Sequence, residues 1–393
     1  MKKILLSTLF IFVSYAIFAQ IEHMEIEGRF NLERESGFLV TSGSYFDWKK
    51  MIKEDHHFDY SLSFTPQWQI GSSDQKHHLN SELDFVGFYQ IKGKNKLLKG
   101  IRWWFVWNQT YMDYTTEQFS KKQGLNIQTN DGNTFPDLTI IGLPALWWEQ
   151  DLTSFMGFRA GQLFGQSIYA NNEFIDNDRT DFMATPLAGP NGVNWMDYPI
   201  GLGIQLSFWT DYFSLDIGFQ DTKANGNYPD FESFFKGNFV YLAELAYHPN
   251  FGNPSKEGKY GITFSYSDHP ISGPGSDYGH GLVFNMFQKF SSGIGIFSRY
   301  SNSFDQYTSL KSSFVAGLTF DNLLKGLPDR LGIAYMSSVP SDEAQRIEQG
   351  LEFYWRFTLS GIIEFTPDLQ YYFKPAISRE EVFILGFRCR VAI

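Results

Sequence analysis

Residues 60–70 read Tyr60-Ser-Leu-Ser-Phe-Thr-Pro-Gln-Trp-Gln-Ile70. Apolar and polar side chains alternate along the whole stretch. Successive strand residues point to opposite faces, so this period of two predicts a strand with one apolar and one polar face. The same alternation recurs at Leu83 to Ile91, Phe213 to Gln220, Ile262 to Ser267 and Leu351 to Phe357. Two architectures give it. A soluble sheet turns its apolar face to a core. A membrane barrel turns it to lipid and its polar face to a wet lumen.

The connections decide between them. Sixteen strands are predicted near 57–70, 79–91, 99–111, 138–150, 154–164, 200–210, 213–221, 237–248, 258–268, 279–290, 293–302, 312–321, 329–338, 348–358, 361–373 and 381–393. Tight turns at 151–153, 211–212, 291–292 and 359–360 follow even-numbered strands. Stretches of intermediate length, 92–98, 249–257 and 322–328, are exceptions. Longer polar segments follow odd-numbered strands; Asp113 to Asp137 and Gly165 to Pro199 are the longest. Short turns at one rim and long loops at the other are the asymmetry of an outer-membrane barrel. The expected fold is therefore all-β: a transmembrane, antiparallel, up-and-down β-barrel of about sixteen strands, with long external loops and short periplasmic turns. Trp103, Trp107, Tyr111, Trp148, Trp209, Tyr247, Tyr335, Tyr371 and Tyr372 lie near strand ends, as candidates for aromatic girdles.

Composition agrees. The chain has 393 residues, 40 Phe, 21 Tyr and 10 Trp, with 35 Gly and one Cys. Its mean hydropathy is −0.26. So many aromatics exclude disorder. One cysteine excludes a disulfide framework and a thiolate cluster. The low hydropathy excludes a bundle of membrane helices. Met1 to Gln20 has the parts of a secretory signal: Lys2 and Lys3, an apolar run from Ile4 to Phe18, and Ala19 at the cleavage position. The expected organisation is a signal peptide at 1–19, a periplasmic or lumen-associated segment at 20–56, and a barrel at 57–393. Ser36 to Trp48 resembles a further strand, but an odd count conflicts with the loop pattern, so it is placed outside the wall. Without Lys2 and Lys3, 30 basic residues face 43 acidic ones, and no basic cluster suits nucleic acid. Cys389 reads as an apolar wall residue.

Enzyme motifs are poor. Gly252 to Lys259 has one residue too many for a phosphate loop, and Tyr260 replaces the needed Ser/Thr. Neither His56-His57 nor His77-His78 has metal-ligand spacing. Gly273 to Gly281 reads as a turn. No Ser and His share an outer strand face, as a lipid hydrolase built on a barrel would need. No catalytic residue, cofactor or metal is expected.

The informative polar residues are those that alternation turns inward. They include Arg102, Arg159, Arg299, Arg356, Arg388 and Arg390, with Glu82, Asp84, Glu149, Asp216, Glu244, Glu352 and Glu364. Charges of both signs across a narrow lumen suit polar, neutral solutes. Trp104, Trp147 and Tyr354 share that face and offer flat rings suited to a sugar. Segment 165–199, with Asn171, Asn172, Glu173, Asp178, Arg179 and Asp181, is long enough to fold inward as a constriction loop.

At these residues the chain resembles the carbohydrate-selective porins (the OprB family). One likeness is Leu143-Pro-Ala-Leu-Trp-Trp-Glu-Gln150, then Arg159-Ala-Gly-Gln-Leu163 and Tyr198-Pro-Ile-Gly-Leu-Gly203. The other is Glu352-Phe-Tyr-Trp-Arg356, Thr366-Pro-Asp-Leu-Gln-Tyr-Tyr372, Lys374-Pro375 and Leu385-Gly-Phe-Arg388. It covers roughly Pro144 to Ile393. It implies a sixteen-stranded barrel through which small sugars diffuse passively across the cell outer membrane. It also implies a constriction of arginines and carboxylates, carried onto Glu149 and Arg159. Arg102, Arg299 and Arg356 enter by alternation alone. The rival reading is a general or anion-leaning pore without a sugar site. Lipids around the wall, a barrel-assembly machinery and room for a homo-oligomer complete the expected partners. The chain ends in Ile393, where such barrels usually end in an aromatic; Phe383 and Phe387 share one face and can serve the assembly signal.

Overall fold

The computed structural model describes residues 44–73, 77–91, 97–111, 115–130, 139–189, 200–222, 224, 227–249, 256–267, 278–304, 310–360 and 362–393. The expected leader, and residues 36–43 of the strand-like stretch, lie outside the described residues. Residues 44–48 open a helix, α1 (Ser44–His56), which precedes the wall and packs on its first strand. Lys53 pairs with Asp59 at 2.9 Å, and the Lys49 ammonium lies 4.9 Å from the centre of the Tyr60 ring.

Sixteen strands follow: β1 (Phe58–Gly71), β2 (His78–Gln90), β3 (Lys99–Thr110), β4 (Thr139–Asp151), β5 (Met156–Phe164), β6 (Ile200–Trp209), β7 (Phe213–Asp221), β8 (Phe239–Tyr247), β9 (Gly258–Ser267), β10 (Gly279–Lys289), β11 (Ile294–Ser303), β12 (Leu310–Asp321), β13 (Asp329–Pro340), β14 (Glu348–Ser360), β15 (Ile363–Lys374) and β16 (Val382–Ala392). Each pairs antiparallel with its neighbours, and β1 pairs with β16 to close the barrel. The predicted strand ends fall within two residues of these. The last residue helps the closure: Ile393 and Leu62 exchange backbone hydrogen bonds of 2.8 Å in both directions. Closure leaves no sheet edge, which is what permits a β-structure to cross hydrocarbon. No helix among the described residues is long and apolar enough to cross a membrane.

Register fixes the two faces, because a one-residue slip would exchange them. Outward positions carry Ile204, Leu206, Ile217, Leu245, Ile262, Phe264, Ile333, Leu369 and Leu385, all exposed. Cross-strand aromatic pairs knit this face, such as Phe365 with Phe387 at 4.1 Å and Tyr371 with Phe383 at 4.5 Å. Cys389 is half-buried in β16, opposite Phe365. Two candidate girdle residues fall on the other face: Trp209, which shares the inward parity of Gln205 and Ser207 and lines the lumen, and Tyr372. Tyr372 is fully buried in the lumen and donates to Gln370 at 2.9 Å, because position 372 shares the parity of Asp368 and Gln370. The inner face of β1, including Thr65, Gln67 and Gln69, is also fully buried. The interior is therefore filled in part.

Candidate functional site

The filling comes first from the chain between β5 and β6. The β4–β5 ladder ends at Leu146 opposite Gln162. Gly161, one residue earlier, has φ +141°, and a Cβ there would lie 2.4 Å from the Leu146 carbonyl oxygen. Only glycine tolerates that approach. The chain then leaves the wall in a 3-10 turn at Gly165–Ser167 and runs inward. Tyr169, Phe174, Ile175, Phe182, Met183, Ala184 and Leu187 are at most 1% exposed. Asp176, with φ +82°, accepts the Asn172 N–H at 2.7 Å while its own N–H donates to the Leu187 carbonyl. The segment is thus a folded unit that crosses the lumen.

Charged groups fix it to the wall from many strands. Asp176 pairs with Arg299 of β11, and Glu173 with Lys289 of β10. Arg179 meets Glu82 at 2.8 Å and Asp84 at 2.7 Å on β2, and Asp178 at 2.7 Å. Burial works against the Arg179 charge, but these three carboxylates outweigh it and hold its pKa well above the ordinary value. Glu352 of β14 accepts the successive N–H groups of Met183, at 2.5 Å, and Ala184, at 3.1 Å. Arg356 donates to the Thr180 carbonyl at 3.1 Å, and Arg388 donates to the carbonyls of Asp178 and Asp181. Burial pushes the Asp181 carboxyl up, against the pull of Arg356, Arg330 and Arg388.

A second segment fills the lumen beside it. Within the stretch expected as an external polar loop, a short helix, α2 (Thr116–Lys122), and the chain to Asn130 lie inside the barrel. Phe119 and Leu125 are fully buried. Glu348, four residues before Glu352 and so on the same strand face, accepts the N–H groups of Asn126 and Ile127 at 3.0 and 2.8 Å. The Thr129 carbonyl accepts from Gln69 and Gln370, both at 2.8 Å. Thr185 links the segments, donating its N–H and hydroxyl to the Gln128 carbonyl. Two features of the sequence could have corrected the reading as a polar loop. Thr115 and Gln118 have capping-box spacing, and both bonds of the box form, at 3.3 and 3.0 Å. Phe119, Leu125 and Ile127 are also too apolar for a solvated loop.

The side of the lumen walled by β3 to β9 keeps a cavity of about 520 Å³, lined by Arg102, Trp147, Glu149, Arg159, Asp216 and Lys259 among others. Here bonds run laterally from strand to strand. Arg102 forks onto Glu149 at 3.2 and 3.0 Å, and the Trp147 indole N–H donates to the same carboxylate at 3.0 Å. Arg159 lies 3.6 Å from Glu149 and donates to Gln205 at 3.1 Å. Gln205 and Ser207 donate to Asp216 at 2.5 and 2.6 Å. Lys259 meets Glu244 at 2.5 Å. Ser214 and His248 are 2.9 Å apart at the lower edge. The result is a girdle of alternating charge in which most cations have an anionic partner.

The expected site residues divide between the two regions. Arg102, Trp147, Glu149, Arg159 and Asn171 line the cavity. Trp104, Arg299, Glu352 and Arg356 face inward but contact the inserted segment. Trp104 donates to Asp84 at 2.8 Å and lies under the Arg179 guanidinium. The Tyr354 ring is packed edge-on against Phe182 at 4.7 Å, so it is no open platform for a sugar. Asn172, Glu173, Arg179 and Asp181 turn toward the wall, while the Asp178 side chain pairs with Arg179 and its carbonyl accepts from Arg388 of the wall. Residues 190–199 of the expected constriction loop lie outside the described residues. Gln205, Ser207, His248 and Lys259 were not singled out from the sequence, since single polar residues on one strand face carry no motif.

Residues 280–392 match the family model for "Carbohydrate-selective porin, OprB family". Two structures of Pseudomonas putida OprB are similar. The high-pH form has TM-score 0.73 and 13% identity, covering 91% of this chain and 99% of that one. The low-pH form has TM-score 0.56 and 13% identity, with 92% and 100% covered. A triple mutant of the Rhodopseudomonas blastica porin has TM-score 0.51 and 8% identity, with 86% and 100% covered. At these identities the likeness shows the fold. No curated protein sequence matches. The last third of the chain carries the sequence pattern of the carbohydrate-selective porin (OprB) family, and the whole chain has the closed sixteen-stranded fold of the porin structures.

Proposed function

We propose that the chain lets small sugars, mono- or small oligosaccharides, diffuse passively into the periplasm along the cavity side of the lumen. The observation that carries this is the girdle from Arg102 through Glu149, Arg159, Gln205 and Asp216 to Lys259. Its charges are largely paired, so its net field is weak, yet it offers donors and acceptors in a row. A neutral polyol can exchange bonds to water for bonds to guanidinium, carboxylate and amide groups at little cost. The cavity volume lies within the range of about 300–1,000 Å³ found for small-molecule sites.

In this reading Arg102, Trp147, Glu149, Arg159 and Asn171 touch the solute. Trp104, Arg299, Glu352 and Arg356, with Asn172, Glu173, Asp178, Arg179 and Asp181, set the bore by holding the inserted segment. The passage involves no bond-making chemistry. The first nineteen residues export the chain, residues 57–393 form the barrel, its apolar outward face meets outer-membrane lipid, and assembly machinery inserts it. In proteoliposomes, sugars should drive swelling faster than zwitterions of matched size. Absence of both swelling and conductance would overturn the channel itself. Single-channel current that millimolar glucose leaves unchanged would favour a general or anion-leaning pore over a sugar site.

A further inference from the structure

Between β7 and β8 the chain reads Tyr228-Pro-Asp-Phe-Glu-Ser-Phe-Phe-Lys-Gly237. It forms one helical turn, α4 (Phe231–Phe234), after the short α3 (Thr185–Ala188) of the inserted segment. The Asp230 carboxylate caps it by accepting the Ser233 N–H at 2.9 Å. Gly237 ends it at φ +79°. Phe231 and Phe235, four residues apart and so on one side, are 62% and 81% exposed, and Tyr228 is 55% exposed. Beside them Glu232 and Lys236 pair at 2.9 Å on an exposed face. A turn with bare aromatics on one side and a charged pair on the other is amphipathic.

Its position is set by aromatic contacts. Phe234 lies edge-on to Phe239 at 5.2 Å, and Phe239 edge-on to Phe219 at 5.1 Å. Phe219 also contacts Tyr241 at 6.3 Å. Phe219, Phe239 and Tyr241 have the outward parity of β7 and β8, and Phe239 forms the last pair of that hairpin, opposite Asp221. The aromatic surface of the wall thus continues without a break onto the turn, at the long-loop rim. Two phenyl rings left in water there would be costly, since apolar area is worth roughly 25 cal/mol per Å². At a membrane boundary such rings are stabilised, while the charged pair stays in the headgroup layer.

We propose that α4 is an interfacial anchor that seats Phe231 and Phe235 in the outer-leaflet boundary, extending the barrel's lipid-facing surface beyond its strands. The occupant is lipid, because the patch is continuous with the outward wall. This rests on the reading of that wall as lipid-facing, so the test carries its own control. In the full chain with Cys389→Ala, a nitroxide is attached at Phe235→Cys and, separately, at Leu245→Cys on the outward face of β8, and the barrels are placed in liposomes. Spin relaxation should be dominated by oxygen at both sites, with several-fold less effect from an aqueous nickel chelate, and position 235 should read shallower than 245. Lipid contact at 245 with nickel access at 235 overturns the anchor and leaves the wall reading intact. Nickel access at 245 overturns the wall reading and the anchor together. Dipolar broadening at 235 that vanishes on dilution with unlabelled chain assigns the patch to a second copy and overturns lipid. Phe231→Cys serves as a second label position, with the same expected result, should the 235 variant fold poorly.

Discussion

The two sides of the lumen use the same inner-face residue types for opposite ends. On the filled side, Glu352, Arg299 and Arg388 are buried and spend their hydrogen bonds on an inserted segment, whose own buried Arg179 bonds back to Glu82 and Asp84 of the wall. On the cavity side, Arg102, Glu149, Arg159 and Asp216 bond laterally to the next strand and remain within reach of solute. A charge buried against backbone is worth most when it is intact and is costly to leave unpaired. A part-exposed pair contributes little to stability, because water and salt screen it. The comparison therefore separates residues that set the bore from residues that meet what passes.

The strongest way to break the division is Arg179→Ala. It strands Glu82, Asp84 and Asp178 without their shared cation. Leaving such a buried group unpaired costs about 3–5 kcal/mol. Single-channel conductance should rise, and the unfolding temperature should fall. Unchanged conductance would mean that the segment stays in place without its ion pairs.

Glu352→Gln is milder. The amide keeps the shape but replaces one of the two oxygens that accept backbone N–H groups with a donor. Leaving a buried N–H without its acceptor costs about 1–3 kcal/mol. Larger oligosaccharides should then gain entry relative to monosaccharides, and the 165–189 segment should become easier to cleave by protease. If size discrimination is unaltered, Glu352 does not set the bore.

Arg159→Ala sharpens the other side. Arg159 is 28% exposed and sits at the cavity. Thermal stability should change by less than about 1 kcal/mol, while block of ionic current by sugar weakens several-fold. Loss of stability with unchanged block would move Arg159 to the structural group.

The smallest effect is expected at His248. Burial lowers its pKa below the ordinary 6.5, and Lys259 adds to this, against Glu244. The folded barrel thus favours the neutral ring. As pH falls through 6.5 the unfolded chain takes the proton first, so this part of the stability is present above 6.5 and fades below it. A His248→Gln variant should lose slightly less unfolding temperature than the parent between pH 8 and pH 5. An equal loss in both would remove His248 from the pH response.

Much of this was legible in residue order, because a strand of a closed barrel carries its own two-sided pattern. The parity of Glu149, Arg159, Arg299 and Glu352 gave the direction each side chain points. It did not give what each would meet. Trp104 and Trp147 have the same parity and residue type, yet one lies beneath Arg179 and the other lines the cavity. The helix at Thr116–Lys122 carries a capping box within a stretch expected as a polar loop, and a box marks only where a helix starts, not which side of the wall it occupies.

The sequence by itself determined the wall: sixteen strands, their faces and the alternation of long loops with short turns. Those follow from local periodicity and from the need to pair every backbone group in lipid. Tertiary structure alone decided which inward charges are consumed and which stay available. That choice depends on two segments meeting through Thr185 and Gln128, 57 positions apart in the chain, and both being held by carboxylates of one strand, Glu348 and Glu352. Contacts between distant residues leave no period along a single strand.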